Sequence, residues 1–191
     1  MTAVSILGQG NMGSAIAGIA EKGGNTVQVL GSGDTDKTIT GEIVVLAVPY
    51  PAVQEILAQR GEQLAGKIIV DITNPLNFET FDSLTVPADS SATAQIQAAL
   101  PNSSVVKAFN TTFAATLASG EIAGQPTTVL IAGDDADAKT RLAGLISAAG
   151  LRAIDAGSLR RARELEATGF LQIALAAGEK IAWTGGFAVK A

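Results

Sequence analysis

Three glycines near the start of the chain place the strongest constraint on its fold. Residues 4–13 read VSILGQGNMG, so Gly8, Gly10 and Gly13 follow a short apolar run in G-x-G-x-x-G spacing. The run predicts a buried parallel strand, and the small-residue stretch after it predicts a helix. A strand, a glycine turn and a helix in this order are typical of α/β proteins that bind a dinucleotide.

Each glycine has its own predicted role. Gly8 permits the tight turn out of the strand, and Gly13 lets the helix pack closely on it. Gly10 has no side chain, so a pyrophosphate can approach the backbone, and the free N–H groups of the helix start favour its charge. The alternative is a glycine-rich turn without a ligand. The predicted cofactor-binding loop comprises Gly8, Gln9, Gly10, Asn11, Met12 and Gly13.

Strands and helices alternate along the rest of the chain. Further strands are predicted over residues 26–30, 42–48, 67–72, 104–109, 127–132 and 151–154. Helices are predicted over residues 52–64, 90–100, 135–149 and 158–180, with a short helix capped by residues 110–112. Only about ten residues separate the second and third strands, too few for a full crossover helix. The alternation predicts a Rossmann-type, doubly wound parallel sheet with a small C-terminal helical portion.

The chain is expected to divide near its last long helix. Residues 1–156 are predicted to form the dinucleotide-binding domain, and residues 157–191 a helical segment that packs on it. The alanine-rich final helix and the tail GGFAVKA are compatible with packing against a second copy, so a homodimer is one expected assembly.

Composition excludes several classes of function. The formal net charge of −5 argues against a nucleic-acid partner. The chain has no cysteine and no histidine, which removes disulfides, thiolate chemistry, the commonest general base and most zinc sites. No metal site is expected. The chain begins in the first strand without a signal peptide, and it has no run of apolar residues of membrane-spanning length. A cytoplasmic protein is therefore expected.

The end of the second strand normally selects between the two nicotinamide cofactors. No acidic residue ends this strand, and Ser32 can donate to a phosphate, which favours NADP and leaves NAD as the alternative. However, Gly33 rather than an arginine follows Ser32, and Asp34 would repel a phosphate. The nearby cation in sequence is Lys37. Ser32 and Asp34 can also be turn formers alone.

Three later strand ends carry residues suited to one crevice. Ala47, Val48, Pro49 and Tyr50 leave the third strand, where ligands of open α/β sheets bind, and Pro49 and Tyr50 can lie against a ring. The alternative for that segment is a simple strand stop. The other two ends are Asn74-Pro75 and the run Lys107, Ala108, Phe109, Asn110, Thr111 and Thr112.

Two groups of charged residues have structural alternatives. Lys107 is either a site residue or a surface lysine whose stem covers apolar surface. The run from Arg160 to Glu166 is expected to form a solvated helix face with i,i+4 pairs.

Five segments carry a resemblance to a known family. GQGNMG, AVPY, VDITNPL, VVKAFNTT and DAGSLRRARELE, in this order, resemble the NADP reductases that use the deazaflavin coenzyme. A related branch is the cytosolic NADPH-oxidising domain of the transmembrane metalloreductases. The resemblance implies that residues 8–13 hold pyrophosphate and that Ser32 holds the 2′-phosphate. It also implies that residues 47–50 line the nicotinamide, while Asn74-Pro75 and residues 108–110 line the substrate cleft.

The predicted function is NADP-linked hydride transfer to a deazaflavin-like or flavin-like acceptor, because that chemistry needs position rather than a side-chain acid. One alternative is an imine or carbonyl reductase with Tyr50 or Lys107 as proton donor. A second alternative is a non-catalytic NADPH-binding sensor.

Overall fold

The computed structural model describes residues 1–190 and contains one large sheet with helices on both faces. The strands are β1 (Ala3–Leu7), β2 (Thr26–Leu30), β3 (Ile43–Leu46), β4 (Ile68–Asp71), β5 (Ser104–Lys107), β6 (Glu121–Ile122), β7 (Gln125–Pro126), β8 (Thr128–Ala132) and β9 (Arg152–Gly157). The helices are α1 (Asn11–Lys22), α2 (Tyr50–Leu64), α3 (Ala92–Ala99), α4 (Ala114–Ser119), α5 (Ala136–Ala148) and α6 (Ala162–Ala177), with a 3-10 turn at Leu159–Arg161.

The order of strands in the seven-stranded sheet is β2-β1-β3-β4-β5-β8-β9. The first five strands are parallel, which confirms the predicted Rossmann-type core. A sequence order that reverses beside β1 creates a crevice at the carboxyl ends of these strands. The glycine turn after β1 opens into that crevice.

The sequence predicted a parallel sheet, but the sheet is not parallel throughout. β8 pairs with β5 in the antiparallel sense through Lys107 and Ala132, and β9 runs parallel to β8. The apolar pattern of a buried strand is the same in either direction, so it could not reveal the reversal. β8 and β9 therefore run opposite to the first five strands, and the register places Gly157, at the end of β9, level with Lys107 through Ala132.

The sheet separates two apolar cores. One core contains Ile16 of α1, Leu117 of α4 and Leu142 of α5. The other contains Val53 of α2 and Ile96 of α3. Both faces of β3 are buried because helices cover both sides, which explains its unbroken run of apolar residues. No helix in residues 1–190 is long and apolar enough to cross a membrane.

Several boundaries differ from those predicted. Residues 110–112 do not cap α4, because its N-cap is Phe113 and no side chain caps it. The last helix ends at Ala177 rather than at residue 180. The segment between β2 and β3 forms no helix, as its length predicted. The boundary at residue 157 between a nucleotide-binding domain and a C-terminal segment stays a prediction, and residue 191 lies outside the described residues.

Candidate functional site

The glycine turn has the geometry that its sequence predicts. Gly8 adopts φ +124°, and a Cβ there would lie 2.0 Å from the carbonyl oxygen of Ala47. A Cβ on Gly13 would lie 2.2 Å from the carbonyl oxygen of Gly8, so only glycine allows this contact between α1 and the turn. At Gly10 a Cβ would meet nothing within 4 Å. The outer face of the loop is therefore open.

The N-terminus of α1 faces this open loop. Gly10 is the N-cap of α1, and no side chain accepts a hydrogen bond from the first backbone N–H groups. The first N–H groups of any helix lack partners within the helix, and the helix dipole adds partial positive charge there. The arrangement can bind an anion of phosphate type. The side chain of Gln9 packs over Gly31 beside this helix N-terminus. A Cβ added at Gly31 would lie 2.8 Å from the Gln9 side chain.

A cavity of about 170 Å³ lies between this turn, the end of β2 and α2. Its wall includes Gly8, Ser32, Thr35, Val48 and Arg60. The sequence predicted Ser32 at this place, whereas Arg60 was not anticipated. Gly33, which the sequence grouped with Ser32, does not line this cavity, and a Cβ there would meet nothing within 4 Å.

Asp34 is turned toward its own loop. Its Oδ2 accepts from the backbone N–H of Gly31 at 2.8 Å, and its Oδ1 lies 2.9 Å from the Nζ of Lys37. The hydrogen bond from Lys37, followed by that from Gly31, lowers the pKa of Asp34. The carboxylate therefore stabilises the turn and is partly neutralised, which weakens the repulsion of a phosphate that the sequence suggested.

Pro49 and Tyr50 form the start of α2 beside the glycine turn. Pro49 is the N-cap of α2, and Pro51 lies in its first turn. The hydroxyl of Tyr50 donates to Oε1 of Gln95 on α3 at 2.7 Å. Burial, followed by the charges of Glu166 and Asp71, raises the pKa of Tyr50. The phenol is therefore a weaker acid than usual.

Asn74 and Asn110 join the segments that follow β4 and β5. The side-chain amide of Asn74 donates to the backbone carbonyl of Asn110 at 3.0 Å, and the amide of Asn110 donates to Oδ1 of Asn74 at 2.9 Å. The amide of Asn110 also donates to the carbonyl of Leu165 at 2.8 Å. These contacts need a glycine on α6, because a Cβ at Gly169 would lie 2.3 Å from Oδ1 of Asn74.

One buried polar atom of this pair stays without a partner. Oδ1 of Asn110 accepts no hydrogen bond from residues 1–190, and neither does Oγ1 of Thr73. Such atoms are uncommon in folded proteins and point to a missing water or ligand. Of these two residues, Asn110 lines the cleft described next, whereas Thr73 does not.

A second cavity, of about 420 Å³, has aromatic walls. Trp183 packs against Phe113 with 5.0 Å between ring centroids, and both rings line the cavity. The cavity is lined by Asn11, Met12, Ile72, Asn74, Phe78, Asn110, Thr112, Phe113, Ala114, Ala115, Ile173 and Trp183. Because Asn11 and Met12 also belong to the glycine loop, this cleft begins where the loop ends.

Two predicted cleft residues are buried instead. Ala108 and Phe109 belong to the apolar core, and neither side chain is exposed. Phe109 adopts φ +63°, a conformation that L-residues rarely adopt. Hydrogen bonds from Thr112 to the carbonyl of Phe109 hold it there. Of the three residues 108–110, Asn110 lines the cleft and the other two side chains do not.

Lys107 is buried in an ionic cluster, so of its two alternatives that of a surface lysine is wrong. Its Nζ lies 2.8 Å from Oδ2 of Asp71, 3.0 Å from Oε1 of Glu166 and 2.6 Å from the carbonyl oxygen of Thr73. The hydroxyl of Thr93 contacts both carboxylates. With three acceptors and no exposed surface, this ammonium has no route to a substrate. The geometry favours a structural role over proton donation.

Glu166 also contradicts the predicted solvated helix face. It is fully buried, and its carboxylate accepts from the backbone N–H groups of Ala92 and Thr93, at the start of α3. The pair of Arg161 with Glu164 remains exposed, as expected for that run. The burial of Glu166 could have been deduced from its position on the helix. It shares one helical face with three small or apolar residues, Ala162, Leu165 and Gly169, and that face is buried.

Other site residues were also missed. Phe113 and Trp183 lie far apart in sequence, and no local motif connects them. For Lys107, the signal was its position directly opposite Asp71 in the register of two buried parallel strands. Residues 1–190 contain no group of three or more histidine, cysteine, aspartate or glutamate side chains that could hold a metal ion.

A family model and a curated relative of this chain both point to NADP-linked reductases that use coenzyme F420. The family model described as "NADP oxidoreductase coenzyme F420-dependent" matches residues 30–75. The F420-dependent NADP reductase of Methanocaldococcus jannaschii is 33% identical over 87% of this chain and 76% of its own length. Metalloreductase STEAP3 of Rattus norvegicus is 33% identical over 69% of this chain, which covers 26% of that protein.

The solved structures agree with these relatives. A crystal structure of a candidate F420-dependent NADP-reductase from Arthrobacter sp. fb24 superposes with a TM-score of 0.85, at 28% identity and with full coverage of both chains. The match spans the sheet, the glycine turn and the C-terminal helix alike. The chain thus belongs to the F420-dependent NADP reductase family, as its five sequence segments predicted.

Proposed function

We propose that this protein is an oxidoreductase that transfers a hydride between NADPH and a deazaflavin acceptor of the F420 type. The observation that carries the proposal is the continuity of two features, an open helix N-terminus at Gly10 and an aromatic cleft that shares Asn11 and Met12 with the loop. A dinucleotide bound through its pyrophosphate at this loop extends toward that cleft. The names of the relatives support the same pair of substrates.

The residues present fit a dinucleotide. Gly10 leaves the space that a phosphate needs, and the uncapped N-terminus of α1 offers backbone donors. Ala47 and Val48 lie against the glycine turn, and Pro49 and Tyr50 continue this wall. We assign residues 8–13 and 47–50 to cofactor binding, together with Ser32, Gly33, Asn74 and Pro75.

The cleft fits a flat ring better than a small carbonyl compound. Phe78, Phe113 and Trp183 offer aromatic surface, and Phe78 and Trp183 are half exposed although they are large and apolar. The side-chain amide oxygen of Asn110, Oδ1, is buried and accepts no hydrogen bond within residues 1–190, so it can accept one from an N–H group of a ligand. We therefore assign Asn110 to acceptor binding, with the backbone of residues 108 and 109 beside it.

Nicotinamide supplies the hydride when it is bound, and the protein holds two rings together and excludes water between them. Neither earlier candidate for a proton donor suits that task. Tyr50 is bound to Gln95, with a raised pKa, and Lys107 is buried among three oxygen atoms. The imine or carbonyl reductase alternative therefore lacks an evident acid. A homodimer remains a proposal that the sequence alone suggests.

The decisive experiment is steady-state oxidation of NADPH by the purified protein with a panel of acceptors. We expect turnover with coenzyme F420, less with riboflavin or FMN, and none with a cyclic imine. Trp183→Ala should raise the KM for the acceptor and leave that for NADPH unchanged. Phe187→Ala is the matched control, since Phe187 is exposed but does not line the cleft.

The other outcomes identify the competing functions. Turnover of imines but not of F420 would support a reductase of the imine or carbonyl class. Tight NADPH binding without turnover of any acceptor would support a sensor.

A further inference from the structure

A buried arginine lies in the wall of the cavity beside β2. Arg60, on α2, is 6% exposed and lines this cavity together with Ser32 and Thr35. Its guanidinium donates to the backbone carbonyls of Asp34 and Lys37, within the segment that replaces a crossover helix. These bonds use two of the five N–H groups of a guanidinium. Donors therefore remain for a further acceptor.

Arg60 forms no direct salt bridge in the described part of the chain, although, after the hydrogen bonds from Lys37 and Gly31, its charge also helps to lower the pKa of Asp34. None of the salt bridges of residues 1–190 includes it, so no carboxylate oxygen lies within 4.0 Å of its guanidinium. Asp34 is directed at Gly31 and Lys37 instead. Glu55, the acidic residue in the cavity lining, is exposed and accepts a hydrogen bond from the side chain of Gln59. A buried cation that makes no direct salt bridge is costly, and a bound anion would relieve that cost.

We propose that Arg60 binds the 2′-phosphate of the cofactor and sets the preference for NADP over NAD. The inference rests on the proposed function, because it takes the cavity beside β2 as the place of the adenosine ribose. Ser32 and Thr35 bring hydroxyl donors to the cavity lining, and Arg60 brings a planar set of N–H donors to the same lining. Such a guanidinium suits a phosphate better than a lysine ammonium does.

The alternative is that Arg60 only holds the segment after β2 in place. Both roles use the same guanidinium, but they differ in what its removal does to binding. A merely structural arginine would affect ligands with and without a 2′-phosphate alike. A phosphate-binding arginine would affect the phosphorylated ligands alone, or far more strongly.

The test compares Arg60→Gln with the unmodified protein by isothermal titration calorimetry at fixed salt. The ligands are NADP⁺, NAD⁺, 2′,5′-ADP and 5′-ADP. We expect a loss of about 10- to 100-fold in affinity for the two ligands with a 2′-phosphate, the scale of hydrogen bonds to a charged group. The affinities for NAD⁺ and 5′-ADP should change by less than about 2-fold, since no contact to them is removed.

Two further variants complete the design. Arg141→Gln is the matched control, because it changes the net charge equally and pairs with Glu42 at the surface. It should leave all four affinities unchanged. Arg60→Lys keeps the charge but loses the planar donor set, and should weaken NADP⁺ selectively by several-fold. If Arg60→Gln does not fold, as judged by circular dichroism, Arg60→Lys decides the question.

The outcomes separate the two levels of inference. An equal loss for all four ligands, or no loss for any, would overturn the role of Arg60 and leave the proposed function intact. If the unmodified protein binds none of the four ligands, the proposed function fails and the role of Arg60 fails with it.

Discussion

The ammonium of Lys107 lies 3.0 Å from Oε1 of Glu166, although the first residue ends a strand of the sheet and the second lies on the last helix. Both side chains are buried, and Asp71 shares the same ammonium. The cluster therefore joins two parallel strands to α6, directly beside the Asn74 and Asn110 pair. It fixes the position of the cleft rather than taking part in chemistry there.

Removal of the ammonium should destabilise the fold strongly. In Lys107→Met, Asp71 and Glu166 would face each other without a cation, and breaking a buried pair in this way costs about 3–5 kcal/mol. Urea unfolding measures the change in the free energy of unfolding. Glu166→Gln should cost less, because one carboxylate still pairs with Lys107. Arg141→Gln, at an exposed pair, should change stability by less than about 1 kcal/mol. A Lys107→Met variant as stable as the unmodified protein would show that the cluster contributes nothing.

Two glycines of the turn should respond in opposite ways to substitution. Gly10→Val should fold normally, since a Cβ there meets nothing, but should lose nucleotide binding because the side chain occupies the phosphate position. Gly13→Ala should lower the melting temperature, since its Cβ would lie 2.2 Å from the carbonyl oxygen of Gly8. Calorimetric binding and thermal unfolding measure the two effects. Undiminished nucleotide binding by Gly10→Val would refute the assignment of the loop.

The unmodified protein should bind NADP more tightly than NAD, and Gly33→Arg should widen the difference. Gly33 has space for a side chain beside the end of β2, and an arginine there would add a charge-assisted contact to the 2′-phosphate. Such a contact contributes about 1.5–3 kcal/mol. Dissociation constants for both cofactors at fixed salt test the prediction. A tighter NAD complex in the unmodified protein would mean that the assignment of Ser32 is wrong.

Tyr50 should contribute through its ring rather than through its hydroxyl. Its hydroxyl already donates to Gln95, so Tyr50→Phe should keep most of the turnover, and Gln95→Ala should resemble it. Tyr50→Ala should lose considerably more, because the wall beside Pro49 disappears. Stopped-flow reduction of the acceptor with deuterated NADPH measures the hydride step. A loss of about 100-fold or more in Tyr50→Phe would instead identify a general acid.

The stability of the protein should fall in acid partly through Asp135. The hydrogen bond from Ser104, followed by the backbone N–H of Ala138, lowers the pKa of Asp135 below 3.8 in the folded state. Between the folded and unfolded values the unfolded chain binds more protons, so this contribution is present above the unfolded pKa and is lost as pH falls. Asp135→Asn keeps an N-cap for α5 but cannot titrate.

Urea unfolding between about pH 5 and pH 2 measures this dependence. The Asn variant should show a shallower loss of stability with falling pH than the unmodified protein. Identical slopes would show that Asp135 does not contribute to the acid response.

Local patterns in the sequence were sufficient for the parallel core and the glycine turn. Gly8, Gly10 and Gly13 have separate mechanical requirements, and those requirements can be deduced from spacing alone. The missing crossover helix followed from the short distance between β2 and β3. The sequence also predicted helices that begin near residues 90 and 135, and the structure places their N-caps at Ser91 and Asp135.

The remaining features depend on contacts between distant segments. Periodicity does not record strand direction, so it missed the reversal at β8. Arg60 lies among polar residues of α2, and nothing local shows that it turns inward to the carbonyl of Lys37. Glu166 follows three arginines, which favoured a solvated face, although its register placed it with Leu165 on the buried side. The aromatic cleft depends on Trp183 reaching Phe113 across the fold.

The hydrogen bonds from Ala92 and Thr93 to Glu166 bear on how the protein is synthesised. The start of α3 is completed by a carboxylate 74 residues further along the chain. On the ribosome the strands of the parallel core emerge well before Glu166, so Lys107 can pair with Asp71 early, whereas the first turn of α3 lacks its carboxylate acceptor until α6 has been made. An N-terminal fragment that ends before α6 would therefore leave the first N–H groups of α3 without their carboxylate acceptor and Lys107 with Asp71 as its remaining carboxylate partner. We expect the nascent chain to reach its final packing only after α6 has been made.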